Sequence, residues 1–111
     1  SFMGMEDNSI YCASKGGVLM LARALSRELA PAVRINCVCP GFVDTDMVRR
    51  DYIDSAEDPA EILRSVESYS PLNRMGQPEE IAAAILYLAS EQAGFVTGSA
   101  LSIDGGMTAS Y

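Results

Sequence analysis

Histidine and tryptophan are absent from this 111-residue sequence. Without His, imidazole-based catalytic triads and His-ligated metal sites are excluded, and we expect no metal centre. Basic residues are scarce as well, since eight Lys and Arg stand against fifteen Asp and Glu, for a formal net charge of −7. Nucleic acids and anionic membrane surfaces are bound by clustered basic charge, so neither is expected as a partner.

Long apolar runs are also missing. No stretch reaches the ~20 apolar residues that span a membrane, and the opening residues SFMGMEDNS lack the basic and apolar regions of a signal peptide. The three cysteines, Cys12, Cys37 and Cys39, are an odd number and form no C-x-x-C motif. Such cysteines are typical of buried, reduced thiols, so the sequence predicts a cytoplasmic protein.

The first half of the chain predicts a helix followed by a strand. Good N-cap residues stand at Asp7-Asn8-Ser9, and Pro31 ends the helix. Residues 33–39 alternate in the manner of a strand, which Pro40-Gly41 terminates. Apolar side chains recur at helical spacing and predict a buried stripe of Val18, Leu21, Ala22, Leu25 and Leu29.

The second half predicts two more helices and a second strand. Residues 59–69 suit a short helix with Pro59 in its first turn, and the rest of 42–76 is predicted to be loop. A helix is expected to begin at Gln77-Pro78, and a strand to cover residues 99–103. We interpret the Asp104-Gly105-Gly106 sequence that follows as a strand-ending turn.

This order of elements indicates an α/β fold. A strand, a helix and a second strand imply a right-handed parallel crossover. Because a parallel sheet needs both faces covered, two strands alone are poorly buried. The elements are therefore expected to form part of a larger α/β fold.

Tyr11 and Lys15 are the strongest candidates for chemistry. At four residues apart they share one face of the first helix. An ammonium near a phenol favours the phenolate, which makes the tyrosine a better proton carrier. Taken alone, the spacing is weak evidence for catalysis and favours packing or surface roles.

Four ordered motifs resemble the short-chain dehydrogenase/reductase family. They cover residues 4–107 and match the family's catalytic helix, the following strand and turn, the next helix, and the last strand. The resemblance implies the C-terminal part of a Rossmann-like doubly wound parallel sheet. Residues 1–111 would then be a single partial domain, with 42–76 as its substrate-loop insertion. The motifs are YCASKGGVLMLARALSREL, VRINCVCPGFVDTDM, PLNRMGQPEEIAAAILYLAS and VTGSALSIDGG.

The resemblance also implies an NAD- or NADP-dependent oxidoreductase acting on a small alcohol or carbonyl compound. Tyr11 matches the family's catalytic acid/base, and Lys15 matches the residue that lowers the tyrosine's pKa and binds the nicotinamide ribose. In the family, the catalytic helix and the last helix–strand unit build contacts between subunits, so a homo-oligomer is expected.

Four further residues match the nicotinamide site of the family. Pro40 and Gly41 match the turn that lets the backbone approach the nicotinamide, and Thr45 matches a residue that contacts the carboxamide or a phosphate. Val43 is expected to offer its backbone to the carboxamide. Apart from the resemblance, the favoured interpretation of Thr45 is an N-cap for a turn at residues 46–48.

The sequence departs from the family pattern in its upstream part. No G-x-x-x-G-x-G turn occurs, and the family's catalytic Ser, thirteen residues before the Tyr, has no counterpart here. We expect a truncated chain that begins just past that Ser and is inactive alone. The alternative is a non-catalytic remnant that acts as a self-association or partner-binding module. The residues that select the substrate, and those that distinguish NAD from NADP, are not identified by the sequence.

Overall fold

The computed structural model describes residues 8–109, with side chains from residue 13 onward. The helices are α1 (Asn8–Leu29), α2 (Asp46–Val48), α3 (Pro59–Ser68) and α4 (Pro78–Ala89), and the strands are β1 (Cys37–Pro40) and β2 (Ala100–Ile103). A π-helical turn (Arg49–Ile53) continues α2, and a 3₁₀ turn (Glu91–Ala93) follows α4. Among residues 8–109, no helix combines the length and apolar character that crossing a membrane requires.

The two strands form a parallel two-stranded sheet. The Cys37 N–H donates to the Ser99 carbonyl at 2.9 Å, and the Gly41 N–H donates to the Ile103 carbonyl at 3.0 Å. The predicted α/β class with a parallel crossover is confirmed. The chain divides into two units. The first contains the described part of Ser1–Cys37 together with Ala93–Ala100, and the second contains Val38–Gln92 together with the described part of Leu101–Tyr111.

In the first unit, the predicted start of strand β1 is wrong. Residues 33–36 precede the regular ladder because side chains replace its backbone bonds: Thr97 Oγ1 accepts from the Ile35 N–H at 3.1 Å. The Asn36 amide donates to the Val96 carbonyl at 3.0 Å, and its oxygen accepts from the Ser99 N–H at 3.1 Å. These side-chain bonds hold residues 35–36 in place ahead of β1, although the two residues are not part of the regular strand.

Helix α1 forms as predicted, but its apolar stripe is only partly covered. The Leu25 and Ala22 side chains are half-buried, whereas Val18, Leu21 and Leu29 are exposed. The prediction that the whole stripe is buried is therefore wrong for these three residues. A lone two-stranded sheet offers too little surface to cover a 22-residue helix, in agreement with the expectation that the elements suit a larger fold.

In the second unit, local signals set the helix starts. The Asp58 carboxylate accepts from the Glu61 N–H at 3.2 Å, so Asp58 caps α3, with Pro59 in its first turn. Gln77 caps α4, and the Glu80 carboxylate accepts from the Gln77 N–H at 2.9 Å. Both helix starts are predicted correctly by the sequence.

The segment that follows β1 corrects another prediction. Residues 46–53 are helical rather than loop, because the Thr45 side chain caps α2 and Ile53 at the end of the π turn is buried. Ile53 lies in the small core of the second unit together with Val66 and Met75. This core anchors the segment after β1, which carries three of the six predicted site residues, Gly41, Val43 and Thr45.

Candidate active site

The first unit contains the predicted catalytic pair. Tyr11 and Lys15 both lie in helix α1, one turn apart, as the sequence predicts. Lys15 is half-buried. The Tyr11 side chain, like that of Cys12, lies outside the described residues, so the helix fixes only the spacing of the pair. That spacing places the two residues on one helix face.

The second unit brings the end of β1 against the turn after β2. Pro40 is the last residue of β1, and the next residue, Gly41, touches Asp104. A Cβ on Gly41 would lie 2.8 Å from the Asp104 Cβ and 3.0 Å from its Cα. The glycine is therefore required by the close approach of two backbones within the protein itself.

The Asp104-Gly105-Gly106 sequence forms the predicted turn. The Asp104 carboxylate accepts from the Thr108 hydroxyl and from the N–H groups of Gly106 and Thr108, at 3.0 and 3.2 Å for the two N–H groups. These bonds, led by that from the Thr108 hydroxyl, lower the pKa of Asp104. Gly105 and Gly106 have φ of 62° and 92°, the left-handed region that favours glycine.

Val43 lies in a short parallel pairing with Gly76. The Asp44 N–H donates to the Gly76 carbonyl at 2.8 Å, and the Gly76 N–H donates to the Phe42 carbonyl at 2.8 Å. Because the neighbours of Val43 make these bonds, its own N–H and C=O point to the opposite edge of the pairing.

Thr45 is the N-cap of α2. Its Oγ1 accepts from the Val48 N–H at 3.2 Å, which confirms the capping role left open by the sequence. A hydroxyl that accepts one bond keeps a hydrogen with which it can donate another. Thr45 can therefore cap α2 and still donate a hydrogen bond to a carboxamide or phosphate oxygen, the contact that the family resemblance implies.

The sequence did not predict the ion pair that joins Asp44, the residue between Val43 and Thr45, to Arg49. Arg49 Nε donates to Asp44 Oδ1 at 2.8 Å, and Arg49 Nη2 donates to Asp44 Oδ2 at 2.9 Å. The Arg49 guanidinium holds the pKa of Asp44 below its ordinary value. No sequence signal indicates the pair, since a spacing of five residues matches no helical or strand rule.

A cavity of about 250 Å³ also lies in the second unit, between Phe42, Ser70 and the Asp104–Gly106 turn. Ser70 is buried, and its hydroxyl donates to the Gly105 carbonyl at 3.1 Å and accepts from the Leu72 N–H at 3.1 Å. The sequence did not predict this cavity, because it arises from contacts between distant segments.

The rim of the cavity carries a second two-bond ion pair. Arg74 Nη1 and Nη2 donate to the two carboxylate oxygens of Glu80 at 2.7 and 2.9 Å. These bonds, with the bond from the Gln77 N–H, lower the pKa of Glu80 to about 2. Among residues 13–109, whose side chains the structure describes, no group of three or more His, Cys, Asp or Glu side chains is placed to bind a metal ion.

Comparison with known proteins identifies the class. A family model described as enoyl-(acyl carrier protein) reductase, the short-chain type, matches residues 1–108. The chain therefore belongs to the short-chain dehydrogenase/reductase family, and its fold is the C-terminal part of that family's Rossmann fold.

Individual relatives show how much of the family fold is represented. The chain is 44% identical over 105 residues to 3-oxoacyl-[acyl-carrier-protein] reductase of Chlamydia muridarum, covering 94% of this chain and 40% of the relative. It is 40% identical to 2-(S)-hydroxypropyl-CoM dehydrogenase 3 of Xanthobacter autotrophicus, covering 96% and 42%. The structure of 4-hydroxyisoleucine dehydrogenase complexed with NADH matches with a TM-score of 0.78 at 31% identity, covering 93% and 41%. The chain thus spans about two fifths of these proteins.

Proposed function

We propose that this chain carries the proton-transfer and nicotinamide-contacting residues of an NAD(P)-dependent oxidoreductase that interconverts an alcohol and a carbonyl compound. The observation that carries the proposal is the placement of Tyr11 and Lys15 one turn apart in helix α1 of a family member. Tyr11 exchanges a proton with the substrate oxygen. Lys15 favours the phenolate of Tyr11 and binds the nicotinamide ribose.

The segment after β1 is proposed to contact the nicotinamide end of the cofactor. Ligands of open α/β sheets bind beyond the carboxyl ends of the strands, which is where Pro40 and Gly41 lie. A carboxamide offers both a donor and an acceptor. The outward backbone groups of Val43 and the Thr45 hydroxyl suit such a group. When bound, the nicotinamide supplies or accepts the hydride. The cofactor is NAD or NADP, and the NADH in the structure of the hydroxyisoleucine dehydrogenase supports this class.

The substrate is proposed to be a small alcohol or carbonyl compound, as the names of the oxoacyl reductase and hydroxypropyl dehydrogenase relatives suggest. The protein is proposed to be cytoplasmic and to form a homo-oligomer. The 111 residues contain no Gly-rich phosphate-binding turn. By themselves they are expected to give no turnover, because nothing in them orients the rest of the dinucleotide.

A chimera tests the catalytic proposal. This chain replaces the matching C-terminal segment of the Chlamydia reductase, which is 44% identical to it, and activity is measured with NADH and NADPH. We expect Tyr11→Phe to lower kcat by roughly 10²–10⁴-fold, the usual contribution of a general acid/base. Tyr87→Phe, at an exposed tyrosine on α4, is the matched control and should retain activity. Wild-type kcat in the Tyr11→Phe chimera would contradict the assigned role.

The second candidate is a non-catalytic self-association or partner-binding module. This candidate is favoured by large apolar side chains that are exposed within each unit. The exposed residues include Val18, Met20 and Leu21 on α1, Ile85 and Leu86 on α4, and Phe95, whose side chain is fully exposed. Exposed apolar surface of this kind marks association sites. A chimera without turnover, combined with a stable oligomer of the 111-residue chain, would favour this candidate.

A further inference from the structure

The Asp44–Arg49 ion pair lies at the centre of the segment assigned to the nicotinamide. Asp44 stands between Val43 and Thr45, and its carboxylate is held by Arg49 from the next turn of the chain. We propose that Asp44 and Arg49 are positioning residues for the nicotinamide site. Their ion pair fixes the segment that presents the Val43 backbone and the Thr45 hydroxyl. This inference rests on the proposed function.

The backbone bonds around the pair explain how it acts. On one side, the Asp44 N–H is fixed to the Gly76 carbonyl at 2.8 Å. On the other, the Arg49 N–H donates to the Thr45 carbonyl at 3.0 Å, and Thr45 Oγ1 accepts from the Val48 N–H. The ion pair joins these two fixed points, so it closes a small loop of interactions around Thr45.

The position of Arg49 is itself anchored. It begins the π-helical turn Arg49–Ile53, its carbonyl accepts from the Asp54 N–H at 2.7 Å, and the turn ends at buried Ile53. Turns of this type are frequent at functional sites. The backbone of Arg49 is thereby anchored to its own unit, and the guanidinium ties the Asp44 carboxylate to that anchored turn.

The neighbouring pair Arg50–Asp51 shows why Asp44–Arg49 is not an ordinary surface contact. The Arg49 and Asp44 side chains are 39% and 23% exposed and share two hydrogen bonds. Arg50 and Asp51 are 72% and 56% exposed and share one bond of 2.9 Å. Exposed single contacts contribute little, whereas two-bond arginine–carboxylate pairs add geometric order. Arg50 therefore provides a matched control.

Amide hydrogen exchange, followed by NMR in the 111-residue chain, tests the positioning. We expect Asp44→Asn and Arg49→Gln to speed exchange of the Asp44 and Val48 amides about tenfold, the scale of one charge-assisted bond. Arg49→Lys, which keeps the charge but loses the two-bond fork, should have a smaller effect. Arg50→Gln should leave both rates unchanged. The Ile62 amide of α3, bonded to the Asp58 carbonyl, reports on the stability of the unit.

Two results would overturn the proposal. One is equal exchange at Val48 in Asp44→Asn and Arg50→Gln. The other is an Ile62 amide that accelerates as much as Val48, because the effect would then be general destabilisation. A second measurement does not depend on the variants: the Arg49 Nε–H should be protected from exchange in the wild-type chain, and a freely exchanging Nε–H would also contradict the ion pair.

Titration with NAD and NADP separates this inference from the proposed function. If either cofactor shifts the Val43 and Thr45 amide signals in the wild-type chain, we expect weaker binding in Asp44→Asn and intermediate binding in Arg49→Lys. Unchanged binding in Asp44→Asn would overturn the positioning role. If neither cofactor shifts these signals, the isolated chain, which has no Gly-rich turn, does not hold the dinucleotide. The activity of the chimera then decides the proposed function, and the exchange rates decide whether the ion pair orders the segment.

Discussion

Replacing Gly41 by alanine should weaken the contact between the ends of the two strands. The added Cβ would lie 2.8 Å from the Asp104 Cβ, which is 0.6 Å inside the 3.4 Å at which ordinary contact begins. Both atoms belong to backbone-anchored positions, since Gly41 donates to Ile103 and the Asp104 carboxylate is bound within its own turn. Relief of the clash must therefore come from movement of the strand end or the turn.

The magnitude follows from two opposing effects. Overpacking of this kind costs about 1–3 kcal/mol. Alanine also restricts the unfolded chain, which stabilises the native state by about 0.4–1 kcal/mol where the backbone is compatible. The mid-values of these two ranges differ by about 1.3 kcal/mol, so Gly41→Ala is expected to lower the free energy of unfolding by ~1 kcal/mol.

Urea denaturation followed by circular dichroism measures this change, and Gly76→Ala is the control. A Cβ on Gly76 would lie 3.7 Å from the Phe42 carbonyl oxygen, an ordinary contact. That variant should therefore be no less stable than wild type, and the restricted unfolded chain should raise its free energy of unfolding by about 0.4–1 kcal/mol. A Gly41→Ala protein as stable as wild type would refute the argument that the close approach requires glycine. A Gly76→Ala protein destabilised to the same extent would show that the clash at Asp104 is not the cause.

Three further predictions follow from the charges, the exposed surface and the motifs. Ionised Glu80 stabilises the fold above its unfolded pKa near 4.5, and because its folded pKa is about 2, that stability is lost as the pH falls from about 4.5 to 2. Acid titration of Glu80→Gln should therefore show a smaller loss in this range than wild type, and equal losses would contradict the Arg74–Glu80 pairing. The 111-residue chain should self-associate at micromolar concentration, because β1 has an unpaired edge within the described residues and α1 exposes apolar side chains; a clean monomer mass in light scattering, with cooperative unfolding, would contradict this. Dehydrogenase assays of the isolated chain with NADH and NADPH over alcohols and ketones should show no turnover, and ordinary enzymatic rates would refute that expectation.

The parts of the fold that were predictable depend on neighbours in the sequence. Asp58-Pro59 and Gln77-Pro78 start their helices through caps that form within one turn, so the residues themselves carry the signal. The start of β1 was not predictable, because Thr97, 62 residues away, supplies the side chain that replaces a ladder bond at Ile35. Alternation alone does not show where such a partner lies.

In the candidate site too, the features that depend on neighbouring residues were predictable, and those that depend on tertiary contacts were not. Tyr11 and Lys15 follow from helical spacing together with the family motifs, and their helix is confirmed, while their roles remain a proposal. The capping by Thr45 was foreseen from its residue type. The Asp44–Arg49 pair was not foreseen, because Arg49 begins a π turn that ends at buried Ile53 and that the sequence predicted to be loop. Tertiary burial decides such a turn, and no local pattern encodes it.

The pairing of β1 with β2 has a consequence for the order in which the chain folds. The bonds that join the approaches to the two strands span 60 to 63 residues, as between Asn36 and Val96, Ile35 and Thr97, and Ser99 and Asn36. Closing a loop of this length costs ~4 kcal/mol in chain entropy beyond a constant term. Helices α3 and α4, which close through caps a few residues apart, form without that cost. The sheet is therefore expected to assemble last, after the intervening helices have shortened the effective loop.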